Sequence, residues 1–139
     1  MSTFFIGTGN IGTDPELKII KTGSNESQVL SFRVFFDNPV KLDDGSFEER
    51  GGFWAKVEMW PRTGGEDMAR LYQKGQRVLV QGQRLVQEEW KDKETNEDRT
   101  GLKVQARYVG ILPVRLESIV MKSKTNGGDE FDEMDDLPF

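Results

Sequence analysis

The sequence predicts an all-β fold: a five-stranded Greek-key barrel with one short helix between strands three and four, followed by a disordered acidic C-terminal tail. Three observations predict it. Apolar residues recur at every second position in several short segments bounded by glycine, proline and polar clusters. One segment near the middle carries a helical stripe instead. The last eleven residues, Asp129 to Phe139, hold six acids, and a run of like charge repels itself and builds no core.

Thr3–Ile6 opens the first strand, Gly7–Gly12 turns or kinks it, and Leu17–Lys21 continues it to a turn at Thr22–Asn25. In Val29–Phe36 the apolar row Leu30, Phe32, Val34 and Phe36 alternates with Ser31, Arg33 and Phe35. Asp37–Gly52 reads as a long polar loop, with Asp43-Asp44-Gly45 as a turn that lacks calcium-loop spacing. Phe53–Trp60 is the third strand: Phe53, Ala55, Val57 and Met59 share one face, Trp54, Lys56, Glu58 and Trp60 the other. Pro61 stops it. Thr63–Gly75 reads as the helix, with Met68, Leu71 and Tyr72 at i, i+3 and i+4 and a basic last turn before the closing glycine. Gln76–Gly82, running on through Arg84–Trp90, is the fourth strand, and Lys91–Thr100 a polar hairpin loop. Leu102–Leu112 closes the sheet, and Val114–Met121 is the candidate for a last strand. Three strands, a helix and two strands is the order of an oligonucleotide-binding barrel (OB-fold), whose helix caps the barrel. Another small Greek-key or SH3-like barrel is the alternative. Residues 1–121 are thus read as the barrel domain, and 122–139 as a flexible linker and tail.

Composition narrows the function. With no cysteine and no histidine, the chain offers no disulfide, no thiol nucleophile, and neither the usual zinc ligands nor the commonest general base. No catalytic set, metal or cofactor is expected, and the reading is not an enzyme. No run of eighteen apolar residues suggests a membrane span, and Met1–Phe5 lacks the features of a signal peptide, so the expected location is cytoplasmic. The net charge of −5 is unevenly spread. All 19 Lys and Arg precede residue 125, against 18 of the 24 acids, while residues 125–139 carry six acids and no base. The body, at +1, can still hold a basic groove.

Trp54 and Trp60 are the sharpest signal in the body. If Phe53, Val57 and Met59 face the core, both indoles face outward, where a stacked base contributes about 1–3 kcal/mol. Burial in a subunit interface or under a loop is the alternative. Trp90, among Glu88, Glu89, Lys91 and Asp92, has the same two readings, and Phe35 beside Arg33 is a lesser candidate. Arg33, Lys56, Arg62, Lys74, Arg84, Lys91 and Lys93 form the candidate set for phosphate contacts; singly, each is a solvated cation. Gly7–Gly12 fits G-x-G-x-x-G, but Pro15 and a strand-like segment follow rather than a helix, so the glycines read as a bend in a barrel strand. In the tail, Asp132, Glu133, Asp135 and Asp136 lead to Leu137, Pro138 and Phe139. A purely solvating tail has no use for that apolar end, which reads as a ligand for a basic, apolar pocket on another protein.

Gly9-Asn-Ile-Gly-Thr-Asp-Pro-Glu16, Trp54-x-x-Val57, Leu71-Tyr-Gln-Lys-Gly75 leading into Val78–Gly82, Trp90 and Asp135-Asp-Leu-Pro-Phe139 occur in order. In these pieces the chain resembles the bacterial single-stranded DNA-binding proteins over nearly its full length. The resemblance implies a barrel that binds single strands by stacking on Trp54, Trp60 and Trp90, assembly commonly to a homotetramer, and a tail tip that docks replication, recombination and repair enzymes. Ala55 stands where many members have a histidine at the subunit interface, Pro39 and Val40 lie near where a further tryptophan is often found, and Glu88 and Glu89 occupy a stretch usually basic. The expectation is a sequence-tolerant single-stranded DNA binder. An oligomeric adaptor presenting the tail, or an RNA-binding module of the cold-shock kind, are the rivals.

Overall fold

The computed structural model describes residues 3–123, with eight strands and one helix in order. They are β1 (Phe5–Ile11), β2 (Glu16–Thr22), β3 (Asn25–Phe36), β4 (Pro39–Lys41), β5 (Phe47–Glu49), β6 (Phe53–Met59), α1 (Gly65–Leu71), β7 (Arg77–Lys91) and β8 (Asp98–Ile111). β1, β7, β8, β6 and β3 are hydrogen-bonded in that order, and β1 pairs again with β3, which closes the five strands into a barrel. This is the OB-fold, with α1 between its third and fourth barrel strands. β6 and β8 are parallel, a pairing that needs a long crossover, here made by α1 and β7. β2 continues β1 in the same direction and extends the sheet along β3.

The period-two rows decide which side of each strand faces in. Leu30, Phe32, Val34 and Phe36 of β3 meet Ala55, Val57 and Met59 of β6, Val78 and Val80 of β7, Val104 of β8 and Ile11 of β1 in one buried core. Each large apolar side chain so enclosed contributes about 1.5–3 kcal/mol. Ala55, likened above to a subunit-interface position, is wholly enclosed by this core.

Closure needs β1 to approach β3 closely. A Cβ at Gly9 would collide with the Phe35 carbonyl, so only glycine allows this pairing. The open side of the joint is tied by charge. Arg77 at the start of β7 donates to both carboxylate oxygens of Asp37 after β3, at 2.6 and 2.9 Å, and reaches Thr8 Oγ1 at 3.3 Å and Asn10 Oδ1 at 3.4 Å on β1.

Several expectations are corrected. The helix is shorter than Thr63–Gly75: it ends at Leu71, and Tyr72 turns extended, with φ −97° and ψ 137°. That turn drives the Tyr72 ring into the core, 5.2 Å from Phe32, where its hydroxyl donates to the Val109 carbonyl at 2.7 Å and burial raises its pKa above the ordinary value. Met68 is half-buried, but Leu71, expected on the same stripe, is exposed, because the core-facing side of α1 runs through Gly65, Met68 and Ala69 and leaves Leu71 at its flank. The Asp37–Gly52 loop contains the β4–β5 hairpin, turned at Asp43–Gly45 by the Asp44 carboxylate accepting from the Ser46 amide and hydroxyl. β7 and β8 run on to Lys91 and Asp98, so the expected ten-residue loop shrinks to Asp92–Glu97. Val114–Met121 is not a strand and joins neither sheet.

The Asp37 carboxyl is held below the ordinary carboxylate value, chiefly by its hydrogen bond from Arg77. A depressed folded pKa contributes stability that is complete above the unfolded value and lost as pH falls through the folded one. Asp37→Asn should therefore destabilise the barrel at neutral pH, and its deficit should vanish as pH falls from about 5 toward about 2. Urea unfolding across that window measures this; a pH-independent deficit would rule out the ion pair as its source.

Candidate nucleic-acid interface

The inward row of β6 fixes its outward row. With Ala55, Val57 and Met59 in the core, Trp54, Lys56 and Glu58 project from the barrel. The register then sets their neighbours: Phe35 lies opposite Trp54, Arg33 opposite Lys56, and Lys56 opposite Lys103 of β8. Trp54, Trp60 and Trp90 are 47%, 50% and 46% exposed, so none is sealed inside the barrel.

Two of the rings press their outer edges against glycine backbone. A Cβ at Gly12 would enter the Trp54 six-membered ring, and one at Gly101 would lie 2.9 Å from the Trp90 ring. Each glycine thus leaves room for the edge of an indole. Gly12 is fixed to β3, because its amide donates to the Arg33 carbonyl at 2.8 Å and Thr13 Oγ1 accepts from the Arg33 amide at 2.9 Å. The Phe35 ring sits 5.4 Å from the Trp54 ring, half-buried, and the Arg33 guanidinium lies 5.9 Å from the Trp54 ring centre. A cation over an indole face leaves the other face open for a flat ligand.

Arg33 and Lys56 join two recesses. One, of about 220 Å³, is lined by Arg33, Lys56, Glu88, Trp90, Gly101 and Leu102. The other, of about 320 Å³, runs from the same two cations past Ser31 to Thr13 and Glu16. Arg33, Phe35, Trp54, Lys56 and Trp90 are therefore one continuous aromatic and cationic surface. Trp60 stands apart, about 20 Å along the strand from Trp54. It borders a recess of about 310 Å³ with Met68, Gln83, Gln105 and Arg107.

The other predicted cations are spread out. Lys91 borders the outer side of Trp90 with Glu89 and Asp98. Arg84 is exposed on β7, opposite Gln105, and Lys93 is exposed in the turn beyond β7. Arg62 is exposed just after Trp60. Lys74 lines a separate recess with Gln73, Arg77, Leu112 and Arg115.

Two cations of this face were not predicted. Lys103 lies at its centre and bonds to Glu88 at 2.7 Å and Glu58 at 3.5 Å, while Lys56 reaches Glu58 at 3.6 Å. The hydrogen bond to Glu88, ahead of every other influence, raises the Lys103 pKa above the ordinary value. Alternation about Val104 was the signal that could have found it. Arg107, beside Trp60 and 5.2 Å from the Tyr108 ring, has no such signal. A bulge at Gly82 breaks the β7–β8 register there and interrupts the alternation. Of the predicted tail residues, Asp132, Glu133, Asp135, Asp136, Leu137, Pro138 and Phe139 lie outside the described residues.

Comparison with known proteins agrees with this architecture. The small single-stranded DNA-binding protein of Streptomyces coelicolor matches with a TM-score of 0.63 at 18% identity, covering 80% of this chain and 94% of that one. The second single-stranded DNA-binding protein of Mycobacterium smegmatis matches at 0.55 and 21%, covering 88% and 100%. A Plasmodium falciparum protein solved in complex with single-stranded DNA matches at 0.50 and 18%, covering 78% and 91%. A search of curated proteins finds no match. At these identities the structures establish the shared barrel, while the sequence profile of the single-strand binding protein family matches residues 1–112. Barrel, outward aromatics and profile together place the chain: it belongs to the single-strand binding protein family.

Proposed function

We propose that this chain binds single-stranded DNA without strong sequence preference and performs no catalysis. The observation that carries the reading is the continuous surface of Arg33, Phe35, Trp54, Lys56 and Trp90, in which flat rings alternate with cations. Every base has a π-face, so such a surface accepts any sequence, and phosphates lying between the rings meet Arg33 and Lys56. Trp60 with Arg107 extends the path along β6 to a second stacking position. Arg62, Arg84, Lys91 and Lys93 add diffuse attraction at its margins, and Lys74 lies furthest from it.

Titration with an oligothymidine should quench the tryptophan emission and give an affinity that falls steeply with salt. Trp54→Ala and Trp90→Ala should each cost about 1–3 kcal/mol of binding, with no loss of thermal stability. Unchanged emission on titration would instead favour an adaptor that only presents its tail, and equal affinity for an RNA strand of the same length would remove the preference for DNA.

A second copy of the chain is the proposed partner for another face. Phe4, Ile6, Leu79 and Tyr108 are all exposed. The register sets Ile6 opposite Gln81, Gln81 opposite Tyr108, and Thr8 opposite Leu79, so these side chains form one apolar patch on the outside of β1, β7 and β8. A patch of this kind is covered in homo-oligomers. Ile6→Glu with Leu79→Glu should lower the mass measured in solution to that of one chain. An unchanged mass would move the interface elsewhere.

The acidic tail is proposed to recruit enzymes of DNA replication, recombination and repair through Leu137, Pro138 and Phe139, with Asp132, Glu133, Asp135 and Asp136 steering it to a basic pocket. Removal of Phe139 should abolish capture of such an enzyme and leave oligothymidine affinity intact. Retained capture would count against the tip as the ligand.

A further inference from the structure

The central part of the proposed strand path contains two carboxylates, and they are not scattered. Arg33, Lys56 and Lys103 are the cations of its central part, and Glu58 and Glu88 stand among them, leaving a net charge of only +1. Glu58 is 12% exposed and sits low, reaching both Lys56 and Lys103 at 3.5–3.6 Å. Glu88 is 38% exposed, lines the recess with Trp90, and makes the shortest contact, 2.7 Å to Lys103 Nζ. Alternation along β7 separates Glu88 from Glu89, which borders the outer recess with Lys91 and Asp98. Of the two neighbouring acids, Glu88 is therefore the one that confronts an incoming phosphate.

We infer that Glu88 masks Lys103, so that a phosphate of the bound strand must replace the Glu88 carboxylate on the Lys103 ammonium. This rests on the single-strand-binding reading and adds an affinity-setting residue to it. The chemistry is an exchange of one oxyanion for another on a fixed cation. Lys103 is only 19% exposed and cannot swing out to meet the strand, so the strand must come to it. Glu88 is exposed enough to move aside. Binding through the Lys103 position is thereby weakened twice, by the repulsion between phosphate and carboxylate and by the competition for one ammonium.

Glu88→Gln keeps the shape and an acceptor oxygen while removing the charge. The net charge of the central path rises from +1 to +2. Oligothymidine should then bind roughly three- to tenfold more tightly at about 50 mM salt, and the slope of log affinity against log salt should steepen by about 0.7, one more phosphate contact on a single strand. Adding Lys103→Gln to that variant should abolish both changes. Glu88→Ala should repeat the gain, and thermal unfolding checks that every variant folds. Affinity that is unchanged or weaker in Glu88→Gln would overturn the proposal and make the carboxylate a support that positions Lys103 for binding. A gain that survives in the double variant would overturn it too, since Lys103 would then not be the masked group. Parent protein that fails to bind the oligonucleotide at all would sink the underlying function instead, and the two failures are read from the same titrations.

Discussion

Everything on the outer surface of this barrel is placed by the second pairing of β1. A strand already bonded to β7 must also come within hydrogen-bonding distance of β3, and that happens only where Gly9 has no side chain to meet the Phe35 carbonyl. The Arg77–Asp37 pair, with Thr8 and Asn10 as further acceptors, ties the same joint from outside. Once the sheet is closed, its pleat leaves each strand one direction for apolar groups and one for the rest. Trp54 is exposed because Ala55 and Val57 are not. Just past the closing strand, Gly12 and Thr13 bond back to β3, and Gly12 leaves room for the edge of the Trp54 indole. The closure and the site are therefore built from one short stretch of chain.

How far the sequence reveals this depends on the range of the interaction concerned. The alternation of β3 and β6 is local, and it located Phe35, Trp54, Arg33 and Lys56 on the outer side of their strands. The same logic put one helix between the third and fourth barrel strands. It failed where a tertiary constraint overrides the local pattern. Leu71 has helical spacing with Met68 and Tyr72, yet the core-facing side of α1 runs through Gly65, Met68 and Ala69, so Leu71 faces solvent. Val114–Met121 has strand-like composition, yet joins neither sheet. Lys103 was legible in principle, as the residue before an inward valine, but its neighbours Glu58 and Glu88 come from two other strands and become visible only with the register in hand. Arg107 lies past the bulge, where counting by twos no longer works.

Charge shows the same separation of scales. A net charge of −5 describes the whole chain and says little about a surface where Arg33 and Lys56 stand between two half-exposed indoles. What matters for an anionic ligand is the arrangement within a Debye length, about 8–10 Å at ordinary salt. On that scale the centre of the path is a mixed surface: three cations carry it, two carboxylates moderate it, and the aromatic rings supply attraction that salt does not screen. Such a surface can favour a strand strongly enough to hold it and still let it go.

The order of the barrel strands has a consequence for how the molecule is made. β1 emerges first from the ribosome, while its long partner β7 begins at residue 77, after every other barrel strand except β8. Until then the β1 edge exposes unpaired amides and carbonyls beside Phe4 and Ile6, and no local turn can satisfy them. The nascent chain thus carries an open, apolar edge through most of its synthesis. Sealing it late, over a large sequence separation, is the kind of non-local pairing that slows folding and leaves an edge open to other chains meanwhile.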